Sequence, residues 1–309
     1  MSDICAVVVT FNRKDMLVDC LKELGRQSKK LDKIFIIDND SNDGTYALLE
    51  EQGYISNPLY EYTNTKANLG GAGGFKFGMK KAYDLGYEWI WIMDDDVKPT
   101  LDGLENLYKY KSISNFIHPT KYFSDGSKFH WEGFYDPMTS LMHWRKGKSG
   151  FEDSDYVSVN YGCFEGALIN REIISKIGLP DERFFIQNDD LLYGFLASQH
   201  TNVIYIKETC LIKMLKKESF KKFLFIRNES FSPFATYFII RNQYLMKEYL
   251  SKLSYANNKI LNVVTMMKCV KMFLEVILFE RSLSHFKMFW RGMNDGRHAR
   301  YDGHKDFIS

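Results

Sequence analysis

Three short runs constrain this chain most: ICAVVV (4–9), KIFIID (33–38) and YEWIWIM (87–93). Each is nearly continuous in apolar, β-branched or aromatic residues, the pattern of a strand covered on both faces. Between them the spacing changes to that of helices. Residues 13–27 place Met16, Leu17, Cys20, Leu21 and Leu24 on one face and end near Gly25. SNDGTYALLEE supplies a turn and a second helix start, LYEYT (59–63) is a weaker strand, and 74–86 sets Phe75, Met79 and Ala82 on one face before Gly86. Strands alternating with helices predict right-handed βαβ units and a mostly parallel α/β sheet.

Ligands of such sheets bind beyond the carboxyl ends of the strands. Those ends read Thr10-Phe11-Asn12-Arg13, Asp38-Asn39-Asp40 and Asp94-Asp95-Asp96. Any one of them is an ordinary polar turn; three on one rim indicate a site. Asp94 and Asp96 can face one divalent cation if the backbone turns there, with Asp95 pointing elsewhere. The alternative is a solvated acidic turn capping a helix that begins near Thr100. NLGGAGGFKFG (68–78) reads as a loop that lets backbone approach an anion at a helix start, or simply as a flexible loop. Asp189 and Asp190 open another helix, either as acids favoured by its dipole or as a general base over a reaction centre.

The bulk numbers narrow the function classes. A formal charge of +2 gives no electrostatic footprint for nucleic acid. Five cysteines, an odd number without CxxC spacing, fit reduced thiols and a cytoplasmic location. The first 15 residues carry an acid at Asp3 and do not read as a signal peptide. No run of about 18 uncharged apolar residues occurs; VVTMMKCVKMFLEVILF (263–279) is broken by Lys268, Lys271 and Glu275. From about residue 213 the chain reads as mainly helical. It opens on Lys213, Lys216, Lys217, Lys221 and Lys222, which suit either an anionic membrane surface or a helical subdomain packed internally or in a homo-oligomer.

In combination and order, VVVTFNRKDMLVDCLKELGRQ, IIDNDSNDGT, NLGGAGGF, WIMDDDV and the stretch from VNYGCFEGALIN to NDDLLYGFLASQH resemble the inverting GT-A glycosyltransferases of family 2. The likeness covers about residues 3–210 and is strongest to the galactofuranosyltransferases and the related rhamnosyltransferases. It implies a GT-A nucleotide-sugar-binding domain over 1–212 and a helical region over 213–309. It implies transfer of a sugar, galactofuranose from its UDP donor or alternatively rhamnose from a dTDP donor, to a glycan or lipid-linked glycan. A silent sugar-nucleotide-binding subunit is a further alternative.

Carried over residue by residue, the resemblance puts Thr10, Asn12 and Arg13 beside the nucleoside and Asp38 and Asn39 on its base and ribose. Asn68, Gly70 and Gly71 lie by the donor sugar or diphosphate, with Asp95 on the donor side. Asp94 and Asp96 hold Mn²⁺ or Mg²⁺, Asp190 is the base, and Asp189 orients the acceptor. Phe164 and Glu165 align with an aromatic pair that forms the acceptor platform, with Tyr161 and His200 also on the acceptor side. The chain departs from the family at Lys213, where a metal-binding His is expected, at Glu165, which replaces an aromatic ring, and at Leu192 and Leu196, where an acid and an Arg are common.

Overall fold

The computed structural model describes residues 3–129, 132–144, 149–215, 221–223, 226–228, 231–254 and 256–307. His130, Trp131, Lys216 and Lys217 lie outside them, as do the side chains of Lys221 and Lys222. In chain order the strands of the first half are β1 (Ile4–Thr10), β2 (Lys33–Asp38), β3 (Tyr60–Asn64), β4 (Trp89–Asp94), β5 (Val97–Pro99) and β6 (Phe116–Phe123). A self-paired hairpin, β7 (Gly133–Asp136) and β8 (Leu141–Trp144), is followed by β9 (Tyr156–Val159), β10 (Ala167–Asn170) and β11 (Val203–Lys213). The helices are α1 (Lys14–Leu24), α2 (Thr45–Glu51), α3 (Gly70–Asp84), α4 (Gly103–Tyr108), α5 (Arg171–Ile177) and α6 (Asp189–Ser198).

Contacts divide the chain into two compact units. The first comprises residues 1–134, 144–182 and 190–217; the second comprises 135–143, 183–189 and 218–309. The helical region therefore does not begin cleanly at residue 213, and two short excursions from the first two-thirds of the chain join it.

In the first unit the sheet order is β3-β2-β1-β4-β10-β6-β11-β5, with β9 also paired to β11. The β3-β2-β1-β4 part is parallel, as the buried runs predicted, and every residue of β1 is buried. The remainder is mixed, because β10 enters antiparallel between β4 and β6. Register aligns the strand ends: Thr10 lies opposite Asp38, Asp38 opposite Asn64, and Val9 opposite Asp94. Lys213, the last residue of β11, lies opposite Val97, the first of β5. A strand, not a helix, thus follows the triple Asp, and the next helix starts at Gly103.

The glycine run is not a loop. It forms the first turns of α3, and its glycines serve mainly packing. A Cβ on Gly74 would stand 2.6 Å from Val9 Cγ1, and one on Gly78 would stand 2.3 Å from Val7 Cγ1. Only glycine lets this helix lie against β1 at that distance.

The second unit contains the hairpin β12 (Lys221–Phe223) and β13 (Ile226–Asn228), then α7 (Pro233–Leu250), α8 (Asn258–Glu275) and α9 (Leu283–Arg297). Ser232 caps α7 by accepting from Ala235 N, with Pro233 in the first turn, and Asn257 caps α8. A π-turn, 276–280, extends α8. The core joins Ile240 of α7, Cys269 and Met272 of α8, and Phe289 of α9. Against it the strap 183–189 takes an unusual backbone path, with positive φ at Phe185 (63°), Gln187 (72°) and Asn188 (70°). Two neighbours on α7 hold it: Arg241 donates to the Arg183 and Phe184 carbonyls, and Asn242 Nδ2 donates to those of Phe184, Ile186 and Gln187. Phe185 stacks on Phe238 with ring centres 4.9 Å apart. Among the described residues no helix is long and apolar enough to cross a membrane.

Candidate active site

The rim of the first unit is organised by ion pairs. Asp94, Asp96 and Glu165 each bring a carboxylate oxygen within 4.8 Å of the others. Lys213 Nζ bonds Glu165 and stands 3.8 Å from Asp96. Lys121, on β6 and 2% exposed in its side chain, donates to the other Glu165 oxygen at 2.7 Å. Burial opposes ionisation of Glu165, but the two ammonium groups outweigh it and hold the carboxyl down to about 2. Asp94 moves the other way: burial, then the Asp96 and Glu165 charges, raise it well above the ordinary aspartate value despite Lys213. Asp96 Oδ1 is buried without a hydrogen-bond partner among the described residues. Three converging carboxylates, one with an orphaned oxygen, fit a hard divalent cation with oxygen ligands.

Asp95 lies outside that carboxylate group and is engaged elsewhere: Thr10 Oγ1 donates to its Oδ2 at 2.7 Å and Arg13 to its Oδ1 at 3.1 Å. Arg13 also reaches Asp96 at 3.4 Å. Asn12 bridges to the β2–α2 turn: its N–H donates to Ser41 Oγ and its Oδ1 accepts from Asn42 N. Asp38 accepts from Ser41 N and from the Tyr62 hydroxyl, so both its oxygens are already engaged. Asn39 donates to the Gly70 carbonyl at 2.9 Å, while its Oδ1 is buried without a partner among the described residues. Asn68 Oδ1 accepts from Gly70 N at the start of α3, and a Cβ at Gly71 would meet nothing within 4 Å. Thr10, Arg13, Asp38, Asn39, Asp94, Asp95 and Asp96 therefore gather at the strand ends, with Asn68, Gly70 and Gly71 along the first turn of α3.

Asp190, in the first turn of α6, accepts from the N–H of Leu191 at 2.7 Å. Burial pushes its carboxyl up to about 6; the Glu165 charge adds to that and Lys121 opposes it. Glu165 thus stands in the field of both acidic patches. The segment before Glu165 meets α6 at two glycines: a Cβ on Gly194 of α6 would lie 1.9 Å from Gly162 N, so backbone meets backbone there.

The acceptor-side expectations fare unevenly. Glu165 is the ion-paired centre of the rim, held between Lys121 and Lys213. Phe164 is a core ring, 3% exposed and packed on Phe75 and Tyr193, so its face is not offered to a ligand. His200 is exposed two residues past the end of α6, with about 12 Å of helix between Asp190 and that end, and the structure does not bring it to the rim. Tyr161 lines a pocket with His118, Lys121, Cys163, Glu165 and Tyr205, and Trp144 lies edge-on to it at 6.5 Å. Asp189, beside Asp190, belongs to the strap of the second unit.

Sequence reasoning missed Lys121. A lysine inside the apolar run FIHPTKYF was its signal, since a buried lysine demands a partner. His118, three residues earlier, is also buried; burial and then Lys121 push it down to about 3, so it is neutral.

The chain is similar to known proteins in sequence and in fold. Galactofuranosyltransferase GlfT1 of Mycolicibacterium smegmatis is 29% identical over 198 residues, covering 61% of this chain and 63% of that protein. GlfT1 of Mycobacterium tuberculosis H37Rv is 30% identical over 201 residues, covering 60% and 61%. The chain spans about three fifths of the length of these curated relatives. Among solved structures, S. aureus TarS 1–349 in complex with UDP-GlcNAc superposes with a TM-score of 0.61 at 12% identity, over 97% of this chain and 83% of that one. At that identity the likeness is one of fold, and the fold is GT-A. Residues 5–178, more than half of the chain and including β1, β2 and the triple Asp, match the family described as Glycosyl transferase family 2. With the strand-end carboxylates, the GT-A sheet and this match in agreement, the chain belongs to glycosyl transferase family 2.

Proposed function

We propose that the chain is an inverting galactofuranosyltransferase that moves galactofuranose from UDP-galactofuranose to a hydroxyl of a lipid-linked or growing surface glycan. The observation that carries it is the pairing, through Glu165, of a carboxylate cluster at the end of β4 with an aspartate raised to about 6 at the start of α6. The names of the curated relatives give the sugar; the UDP-GlcNAc held by TarS supports a uridine donor.

In this scheme Thr10, Asn12, Arg13, Asp38 and Asn39 face the nucleoside. Asn68, Gly70 and Gly71 border the donor sugar at the start of α3, where the positive end of the helix dipole favours anions. Mn²⁺ or Mg²⁺ held by Asp94 and Asp96, with Glu165 at hand, would supply neutralising charge to the leaving diphosphate. Asp190, ionised above pH of about 6, accepts the proton of the acceptor hydroxyl as that oxygen attacks the anomeric carbon opposite the departing diphosphate. One displacement inverts the configuration and needs no covalent intermediate. Lys213 and Arg13 add fixed positive charge beside the cluster, and Tyr161 borders the acceptor side.

The test is a transfer assay with purified chain, Mn²⁺, and a panel of UDP-galactofuranose, UDP-galactopyranose, UDP-GlcNAc and dTDP-rhamnose against short lipid-linked glycans. Nucleotide release coupled to an inverted product, by NMR, is expected for UDP-galactofuranose alone. Preference for dTDP-rhamnose replaces the donor assignment. Tight nucleotide binding without turnover on any acceptor overturns the enzyme and leaves a binding subunit.

A further inference from the structure

We propose that the outer face of α8 docks the chain on an anionic lipid surface. This helix is apolar on two opposite sides. Leu261, Thr265, Cys269 and Met272 face the core of the second unit. On the other side Ile260, Val263, Met267, Val270, Leu274 and Ile277 follow one another at steps of three and four residues, and all are between 40 and 62% exposed. They form one stripe about 25 Å long. Leu283, just beyond the π-turn, is 82% exposed and extends the apolar surface.

Charge identifies the occupant. Between residues 257 and 297 the exposed ionisable side chains include Lys259, Lys271, Arg281, Lys287 and Arg297. The acids of the same stretch are withdrawn: Glu275 and Asp295 are buried, and Glu280 is 13% exposed and paired with His285. Lys259 sits at the margin of the stripe, where its long stem lets the ammonium group rise to a headgroup layer, while Lys271, 66% exposed, is paired with the buried Glu275 at 3.2 Å and covers that acid. A second copy would set lysine against lysine along the same seam, whereas an anionic bilayer accepts both the apolar stripe and its cationic border. The helix lies in the interface and does not cross it.

The experiment is vesicle flotation of the full chain with about 30% phosphatidylglycerol in phosphatidylcholine, against pure phosphatidylcholine, at low and high salt. Binding to the anionic vesicles at least roughly tenfold stronger than to the neutral ones, and weakened by salt, is expected. Met267→Glu with Val270→Glu should reduce it by about tenfold or more, and Lys259→Glu by a smaller factor, with thermal midpoints unchanged because these side chains are exposed. Unaltered binding by the double variant overturns the proposal, as does absence of binding in wild type. Sedimentation showing a stable dimer that the double variant dissociates assigns the face to a second copy instead. None of these readouts depends on sugar transfer, so they stand or fall apart from the enzyme assignment.

Discussion

Replacing Asp190 by Asn should make the protein more stable and the transferase nearly inactive, and both effects follow from one number. The Asp190 carboxyl is raised from 3.8 to about 6, mainly by burial. In the unfolded chain it ionises near its ordinary value. Below about pH 4 both states are protonated and the group contributes nothing; between 4 and 6 the folded state increasingly resists ionisation. Above 6 the folded state carries the full penalty of about 3 kcal/mol, or about 1–3 after allowing for partial exposure. An asparagine carries no such charge, and its carbonyl can still accept from Leu191 N. The variant should therefore melt roughly 2–5 °C higher than wild type at pH 7.5, and this gain should vanish near pH 4. Transfer at neutral pH should fall by about 10²–10⁴ with nucleotide affinity kept. In wild type, kcat should decline as pH drops through about 6. A variant no more stable at pH 7.5, or equally stabilised at both pH values, would refute the claim that Asp190 is a desolvated carboxylate.

Three further outcomes are expected. Glu165→Gln leaves Lys121 buried with its carboxylate partner gone and should cost about 3–5 kcal/mol, read by denaturant titration. Lys213→Met removes the ammonium that competes for Asp96 and Glu165, so Mn²⁺ binding without nucleotide, followed by electron paramagnetic resonance, should tighten by roughly tenfold or more. Gly78→Ala forces a methyl into Val7 and should cost about 1–3 kcal/mol with the site chemistry unaltered.

What could be read in advance was what depends on local pattern. β1, β2 and β4 are buried on both faces, so their apolar runs were unambiguous, and the strand-end carboxylates fell where the general rule for parallel sheets puts them. The start of α3 reads as a loop in sequence because glycine normally weakens a helix; its glycines are there for contact with Val7 and Val9, which only the assembled sheet reveals. β10 is four residues long and antiparallel, too short to carry a period. In sequence, Glu165 stands at a position that aligns with an aromatic residue of the family, which says nothing of its ion pairs. Its real neighbours, Lys121 and Lys213, lie 44 and 48 residues away in sequence and meet it only through the β6–β11 pairing. The strap around Phe185 was equally hidden, since its anchors follow it by more than 50 residues.

That strap has a consequence for how the chain can be altered. Three left-handed, non-glycine residues at 185, 187 and 188 store roughly 1–3 kcal/mol each, and the carbonyl grips of Arg241 and Asn242 keep them wound. The next residues are Asp189 and Asp190. The spring is thus latched from a helix some fifty residues downstream, beyond the stretch that matches the family. Trimming the protein after its last sheet strand would release the latch, so a shortened version retaining every strand-end carboxylate should present the start of α6 slackened.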